Sequence, residues 1–260
     1  MKLDVIIANA FSDKKFGGNP AAVVPLEKWL DEGLMQQIAE QNRLPETAFV
    51  VPEKNDFGIR WFTPAVEVDL CGHATLAAAH VMFRHLNYPG EEIIFHSKVG
   101  PLRVKRKQEM ITLDFPVINL EETKDDGRIE KALGKKVKKV FISRFDYMAV
   151  LDTQDDIESL DPDLTLVKEL DARGLIVTAR GNKSDFVSRC FFPQSGIDED
   201  PVTGSAHCAM MAYWAKELGR NKLSAIQLSA RKGYLDCELA GDRVLMSGYA
   251  NTYLRGEFYV

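Results

Sequence analysis

The chain has 260 residues, enough for one large domain or two of ordinary size, each with its own core. Hydrophobic residues make up 45%, charged residues 27%, and the formal charge is −5, an ordinary globular balance with no basic footprint for nucleic acid. No apolar run approaches the roughly 20 residues of a membrane span. The Asp within MKLDVIIANAF marks a strand, not a secretory leader. Four scattered cysteines (71, 190, 208, 237) without a CxxC pair argue against a zinc ribbon or a disulfide framework and suit a reducing cytoplasm.

In chain order, residues 3–11 read as a strand, 15–20 as a turn built on Gly17, Gly18, Asn19 and Pro20, and 21–24 as a short strand. Asp31 is an N-cap for a helix through Asn42, with Leu34, Met35, Ile38 and Ala39 at helical spacing. Strands follow at 46–51 and 57–63, a helix at 73–85, and strands at 92–96, 102–107 and 110–115, whose short polar separators favour an antiparallel meander. Residues 116–127 carry a charge run without periodicity and read as a linker. The acidic 121–126 and Lys-rich 131–139 segments read as solvated surface. Next come a short helix at 128–133, strands within 139–151, a helix at 162–170, and strands at 174–178 and 185–192. A second long helix, 205–218, stops at Gly219. Strands at 226–230, 234–240, 244–248 and 254–260 close the chain.

Two stretches echo each other: RWFTPAVEVDLCGHATLAAAH from Arg60 and RCFFPQSGIDEDPVTGSAHC from Arg189. Each runs from an Arg through aromatics to a Pro, crosses an acidic loop, and reaches a Gly (Gly72, Gly204) that opens a helix of small apolar residues. Pro ends a strand because it cannot donate to a ladder. The first amides of the helix have no intrahelical partner and carry partial positive charge, which suits an anion. A helix apolar nearly all round is buried on nearly all sides. The fold class is therefore α+β: two pseudo-symmetric domains, each a curved, mostly antiparallel sheet or barrel around a central helix. The lobes are placed at 1–118 and 119–251, and the last strand, about 252–260, can rejoin the first lobe.

GGNPAAVV (17–24), PETAFV (45–50), RWFTPAVEVDLCGHAT (60–75) and EDPVTGSAH (199–207) occur in an order and spacing that resembles the phenazine-biosynthesis PhzF-like family. The resemblance spans the chain from residue 3 to about 260. It implies the diaminopimelate epimerase-like fold, with an active site between two pseudo-symmetric domains, and cofactor-free, metal-free, cytoplasmic homodimers acting on a small anionic substrate. The characterised chemistry of the family is isomerisation by proton transfer at carbon, on a dihydro-hydroxyanthranilate.

Each candidate residue has two readings. Glu46 starts a strand among apolar neighbours, where a carboxyl suits general acid/base work; otherwise it is a loop carboxylate paired with a surface Lys. The resemblance makes it the proton carrier. The family usually has Ser before this Glu, and Pro45 stands here instead. His73, at a helix start whose dipole disfavours imidazolium, is expected neutral. It is a simple helix-start residue or, by resemblance, a catalytic one. Asp200 matches a catalytic position or caps the second helix. Ser205 matches a substrate contact and can also serve as a cap. Gly72 and Gly204 offer backbone amides to a substrate carboxylate or merely turn the chain, and Asn19 binds ligand or merely turns it. Cys71 precedes Gly72 where diaminopimelate epimerase places a catalytic Cys, but DEDPVTGS has no partner Cys, so a small buried residue is expected. Ser205 and His207 do not face one another, and His80, His85 and His96 show no metal spacing. The reading is a cofactor-independent isomerase. The alternatives are an amino-acid racemase using Cys71 or a non-catalytic binding protein that kept the fold.

Overall fold

Strict alternation is not what the first strands show: Asn19–Pro25 and Glu46–Glu53 are buried along most of their length, as strands covered on both faces are. A computed structural model describes residues 1–260. In chain order its elements begin with β1 (Lys2–Ala10), β2 (Asn19–Pro25), α1 (Glu32–Asn42), β3 (Glu46–Glu53), β4 (Asp56–Phe62), β5 (Glu67–Val68) and α2 (Gly72–Arg84). They continue through β6 (Glu92–Ser97), β7 (Gly100–Lys107), β8 (Met110–Pro116), β9 (Glu121–Thr123), α3 (Arg128–Leu133), β10 (Lys139–Ile142) and β11 (Asp146–Val150). After α4 (Gln154–Glu158) and α5 (Leu164–Lys168) come β12 (Gly174–Arg180), β13 (Phe186–Phe191) and α6 (Gly204–Leu218). The chain ends with β14 (Lys222–Gln227), β15 (Gly233–Ala240), β16 (Arg243–Gly248) and β17 (Ala250–Tyr259). One compact unit comprises Met1–Asp114 with Ser247–Val260; the other is Phe115–Met246.

The two units repeat one strand order. In the first, β1 and β2 are antiparallel, β2 and β3 parallel, β3 and β4 antiparallel, β4 and β6 parallel, and β6 and β7 antiparallel. In the second, β10 and β11, β11 and β12, β12 and β13, β13 and β14, and β14 and β15 follow the same alternation. Antiparallel pairs predominate, as expected, and each parallel pair needs a crossover, which α1, α2, α4 with α5, and α6 supply. β17 pairs antiparallel with β1 along its whole length.

Helix α2 packs against β1, β2, β3 and β17, and every residue from His73 to Phe83 is buried. On the opposite side α1 packs Met35, Ile38 and Ala39 on Val24, Phe49, Val51 and Phe62. Asp31 caps α1 as expected, accepting from the amides of Gly33 and Leu34. In the second unit α6 lies on the sheet through Trp214, which stacks on Phe186 of β13 and donates to Thr178 Oγ1 of β12. Ile129, Ala132, Leu133, Ile157 and Val167 of the short helices form a second cluster with β10, β11, β12 and β13.

The internal echo is structural. Arg60 holds Glu67 through Nε and Nη2 at 2.7 and 2.6 Å, and Arg189 holds Glu199 in the same two-pronged way at 2.7 and 2.8 Å. Each Arg thereby fastens the acidic loop that leads to its buried helix.

Three expectations fail locally. The stretch read as a linker contains β9, which pairs with β10. Helix α4 was not expected; it is nucleated by a capping box between Thr153 and Asp156. The strand expected at 226–230 is β14, at 222–227, where Leu223, Ala225 and Gln227 alternate inward.

Candidate active site

Two helix starts carry the residues singled out by sequence, one in each unit. In the first unit Asn19 opens β2, Glu46 opens β3 and His73 is the second residue of α2. The β1–β2 turn that delivers Asn19 needs glycine: Gly18 has φ +72°, and a Cβ there would lie 2.2 Å from the Ala10 carbonyl oxygen. Parallel pairing then sets Glu46 opposite Ala21 of β2.

Glu46 Oε2 lies 3.0 Å from His73 Nε2, and both side chains are almost fully buried. The distance is that of an ion pair, but neither atom makes a well-directed hydrogen bond. Contact this close couples the two charges, while the misalignment leaves both groups able to turn to a third atom. On the other ring nitrogen, His73 Nδ1 has Asn19 Nδ2 at 3.1 Å and Cys71 Sγ at 3.5 Å. Burial alone lowers the His73 pKa, but Cys71 and Glu46 outweigh it and hold the imidazole well above its ordinary value. Against the expectation from the helix dipole the shift is upward: the thiol and the carboxylate against the ring oppose the dipole. Burial and the Glu46 charge push the Cys71 thiol up, with His73 acting against them.

With Asn19 Nδ2 toward Nδ1, the neutral ring carries its proton on Nε2, facing Glu46; protonating Nδ1 requires the Asn19 amide to turn its oxygen inward. Donor atoms of Glu46, Cys71 and His73 lie within 4.8 Å of one another, a spacing that admits a metal ion. The thiol lies against Nδ1 and the carboxylate against Nε2, and the three groups converge closely enough either to pass a proton or to hold an ion. Cys71 is buried as expected, and it also touches the imidazole. As the N-cap of α2 it makes no side-chain capping bond to the first helical turn, which Gly72 opens.

In the second unit Gly204 opens α6 and Ser205 follows it. The N-cap is Thr203, not Ser205 or Asp200; its hydroxyl donates to Asp200 Oδ2 at 2.7 Å. Gln227 pins this loop, accepting from the Thr203 amide and donating to the Asp200 carbonyl oxygen. Ser205 Oγ accepts from Arg173 Nη2 at 3.1 Å. His207 donates from Nδ1 to the Thr203 carbonyl oxygen at 2.8 Å, and burial lowers its pKa to about 4, so it is neutral and no partner of Ser205. The structure thus brings Asn19, Cys71, Gly72 and His73 together with Glu46, and Asp200, Gly204 and Ser205 together with Gln227 and Arg173. Sequence reading missed Gln227 and Arg173, which lie in no motif; their only signal is their place in or beside the repeated strands.

Two units that share one strand order, each with a buried helix, make an α+β fold of the epimerase-like kind. Hydroxyproline epimerase from Agrobacterium vitis has this fold, with a TM-score of 0.63 over 99% of this chain and 91% of that one; at 10% identity the likeness is one of fold alone. The chain belongs to the phenazine biosynthesis-like protein family, whose model matches residues 8–256. An uncharacterized isomerase of Pseudomonas aeruginosa is 46% identical over the full length of both chains. A PhzF-family protein of Enterococcus faecalis, known from its crystal structure, is 46% identical with a TM-score of 0.98 over all of both chains. The protein is an isomerase, which sets aside a purely non-catalytic role. No helix is long and apolar enough to cross a membrane.

Proposed function

We propose that the protein moves a proton between carbon positions of a small carboxylate substrate by general acid/base catalysis, without a cofactor, and that it works as a cytoplasmic homodimer. Glu46 takes the proton from carbon and returns it at a nearby position. His73, held between Glu46, Asn19 and Cys71, shares that proton and steadies the charge that develops. Backbone amides at the α2 start, from Gly72 onward, favour a negatively charged intermediate. Asp200 keeps the catalytic role that the family resemblance gives it, and Asn19, Gly204 and Ser205 keep their substrate contacts.

The observation that carries this reading is the buried 3.0 Å approach of Glu46 to His73 without a directed hydrogen bond between them. A carboxylate and an imidazole placed so are poised to exchange a proton with a third partner rather than to staple the fold. The test is solvent deuterium incorporation into a panel of small carboxylates bearing an acidic C–H, followed by NMR. Wild type is expected to exchange one or more of them and Glu46→Gln is not; equal exchange by both removes Glu46 from the mechanism.

A second reading is favoured by one observation, the 3.5 Å contact of Cys71 Sγ with His73 Nδ1. It makes Cys71 one base of a racemase or epimerase. Full turnover by Cys71→Ala would end it.

A further inference from the structure

The repeated strand order permits a residue-by-residue comparison of the two helix starts. In the first unit the parallel pair β2 and β3 begins with Ala21 opposite Glu46, and in the second the parallel pair β11 and β12 begins with Asp146 opposite Gly174. Each second strand pairs antiparallel with the strand that leads through a Pro loop to the buried helix, at Gly72 or at Gly204. Gly174 is therefore the counterpart of Glu46, and Ser205 the counterpart of His73.

The counterpart position holds no side chain and admits none: a Cβ on Gly174 would lie 2.2 Å from Phe192 Cδ1 and 2.4 Å from the Phe191 carbonyl oxygen. The polar group that reaches the second helix start comes from one residue earlier. Arg173 donates from Nη2 to Ser205 Oγ at 3.1 Å. Its guanidinium is fixed by Asp146, whose carboxylate is 3% exposed and accepts from Nε at 2.9 Å and from Nη2 at 2.6 Å. The rings of Phe145 and Phe192 lie 5.5 and 5.1 Å from the guanidinium carbon, and the Arg173 amide bonds the Phe145 carbonyl oxygen.

Where the first unit sets a carboxylate against an imidazole, the second sets a guanidinium against a hydroxyl. The chemistry differs in kind. Arg does not release its proton near neutrality, so this pair carries no acid/base cycle. A serine oxygen that accepts from a guanidinium on one lone pair keeps its own proton to give away.

We propose that Arg173 is a positioning residue of the reaction: by donating to one lone pair of the Ser205 oxygen it orients the Ser205 hydroxyl to donate to an anionic group of the substrate, and so favours a carboxylate over its neutral amide. This rests on the reading above in which Ser205 contacts substrate.

The test uses the full chain labelled with 15N and titrated with benzoate and, separately, benzamide, following the backbone amides of Gly204 and Ser205. Wild type is expected to respond saturably to benzoate and more weakly to benzamide. Ser205→Ala and Arg173→Gln are each expected to weaken benzoate binding about tenfold with little effect on benzamide. If Ser205→Ala weakens benzoate but Arg173→Gln leaves it unchanged, or weakens benzoate and benzamide alike, the Arg173 assignment is overturned and the Ser205 contact stands. If wild type shows no saturable response, or Ser205→Ala binds benzoate as wild type does, the substrate-contact reading of Ser205 fails first. Melting temperature and spectral dispersion report folding. Should Arg173→Gln not fold, Arg173→Lys carries the test, because an ammonium cannot grip Asp146 bidentately and reach Ser205 together. Weaker benzoate binding by Arg173→Lys then supports the assignment, and wild-type binding overturns it.

Discussion

Glu46 and His73 meet because each is the first or second residue of an element whose direction is fixed by its neighbours: Glu46 by parallel pairing with β2, His73 by the start of α2. Their coupling has a sign. The His73 pKa is raised in the fold, so the interaction contributes stability fully below the unfolded value of about 6.5 and loses it as pH rises through the folded pKa. An NMR titration of the His73 ring is expected to place its midpoint above 6.5, and Glu46→Gln to move it downward; a midpoint unmoved by that substitution would contradict the pairing. Activity belongs to the same scale. Glu46→Gln is expected to lower turnover by about 10²–10⁴-fold, the usual share of a positioned acid/base, and to lose the stability that the pair contributes at low pH.

At the scale of elements, the two arginine clamps matter most. The side chains of Arg189 and Glu199 are 15% and 22% exposed, and Arg189 also donates to the Leu160 carbonyl oxygen. Arg189→Ala leaves a partly buried carboxylate and a carbonyl oxygen unpaired. It is expected to cost about 2 kcal/mol or more in denaturant unfolding. A loss near zero would mean the acidic loop is held by Gln227 alone. Gly174 makes a second test of the repeat. Gly174→Ala must push Phe192 or the β13 backbone aside, and an unfolding loss of about 1–3 kcal/mol is expected from that overpacking. A neutral substitution would show that the start of β12 has room for a side chain.

For the whole molecule, two buried histidines set the acid limit. Burial lowers His80 and His207 to about 4 each; for His80 the neighbouring His85 and Arg84 add to the effect. Both His80 and His85 also share the Thr252 hydroxyl, which has only one proton to donate. For a histidine with a depressed folded pKa, the unfolded chain binds more protons between about 4 and 6.5, so stability present above 6.5 is lost as pH falls through that window. The expected loss is on the order of 3 kcal/mol for each group at its acid limit. Urea unfolding from pH 7 to 4 checks it, and His207→Gln is expected to flatten the slope; an unchanged slope would place the acid sensitivity elsewhere.

Local chemistry was legible in the sequence wherever it acts over a few residues. The Asp31 cap, the Gly219 stop with φ +62°, the paired Arg–aromatic–Pro–Gly stretches and the two buried small-residue helices all follow from nearest-neighbour sterics, capping and periodicity. The candidates Asn19, Glu46, Gly72, His73, Asp200, Gly204 and Ser205 came instead from contiguous motifs that resemble those of the family. What only tertiary structure decided was partnership. The direction of the His73 shift depends on Cys71 and on a carboxylate brought in by strand pairing, and it runs against the dipole of its own helix. Arg173 reaches Ser205, and Asp146 holds Arg173, through parallel strands whose register no stretch of chain records. Long-range pairing fixes which polar groups share a low-dielectric site, and there a single neighbour shifts a proton more than any local propensity does.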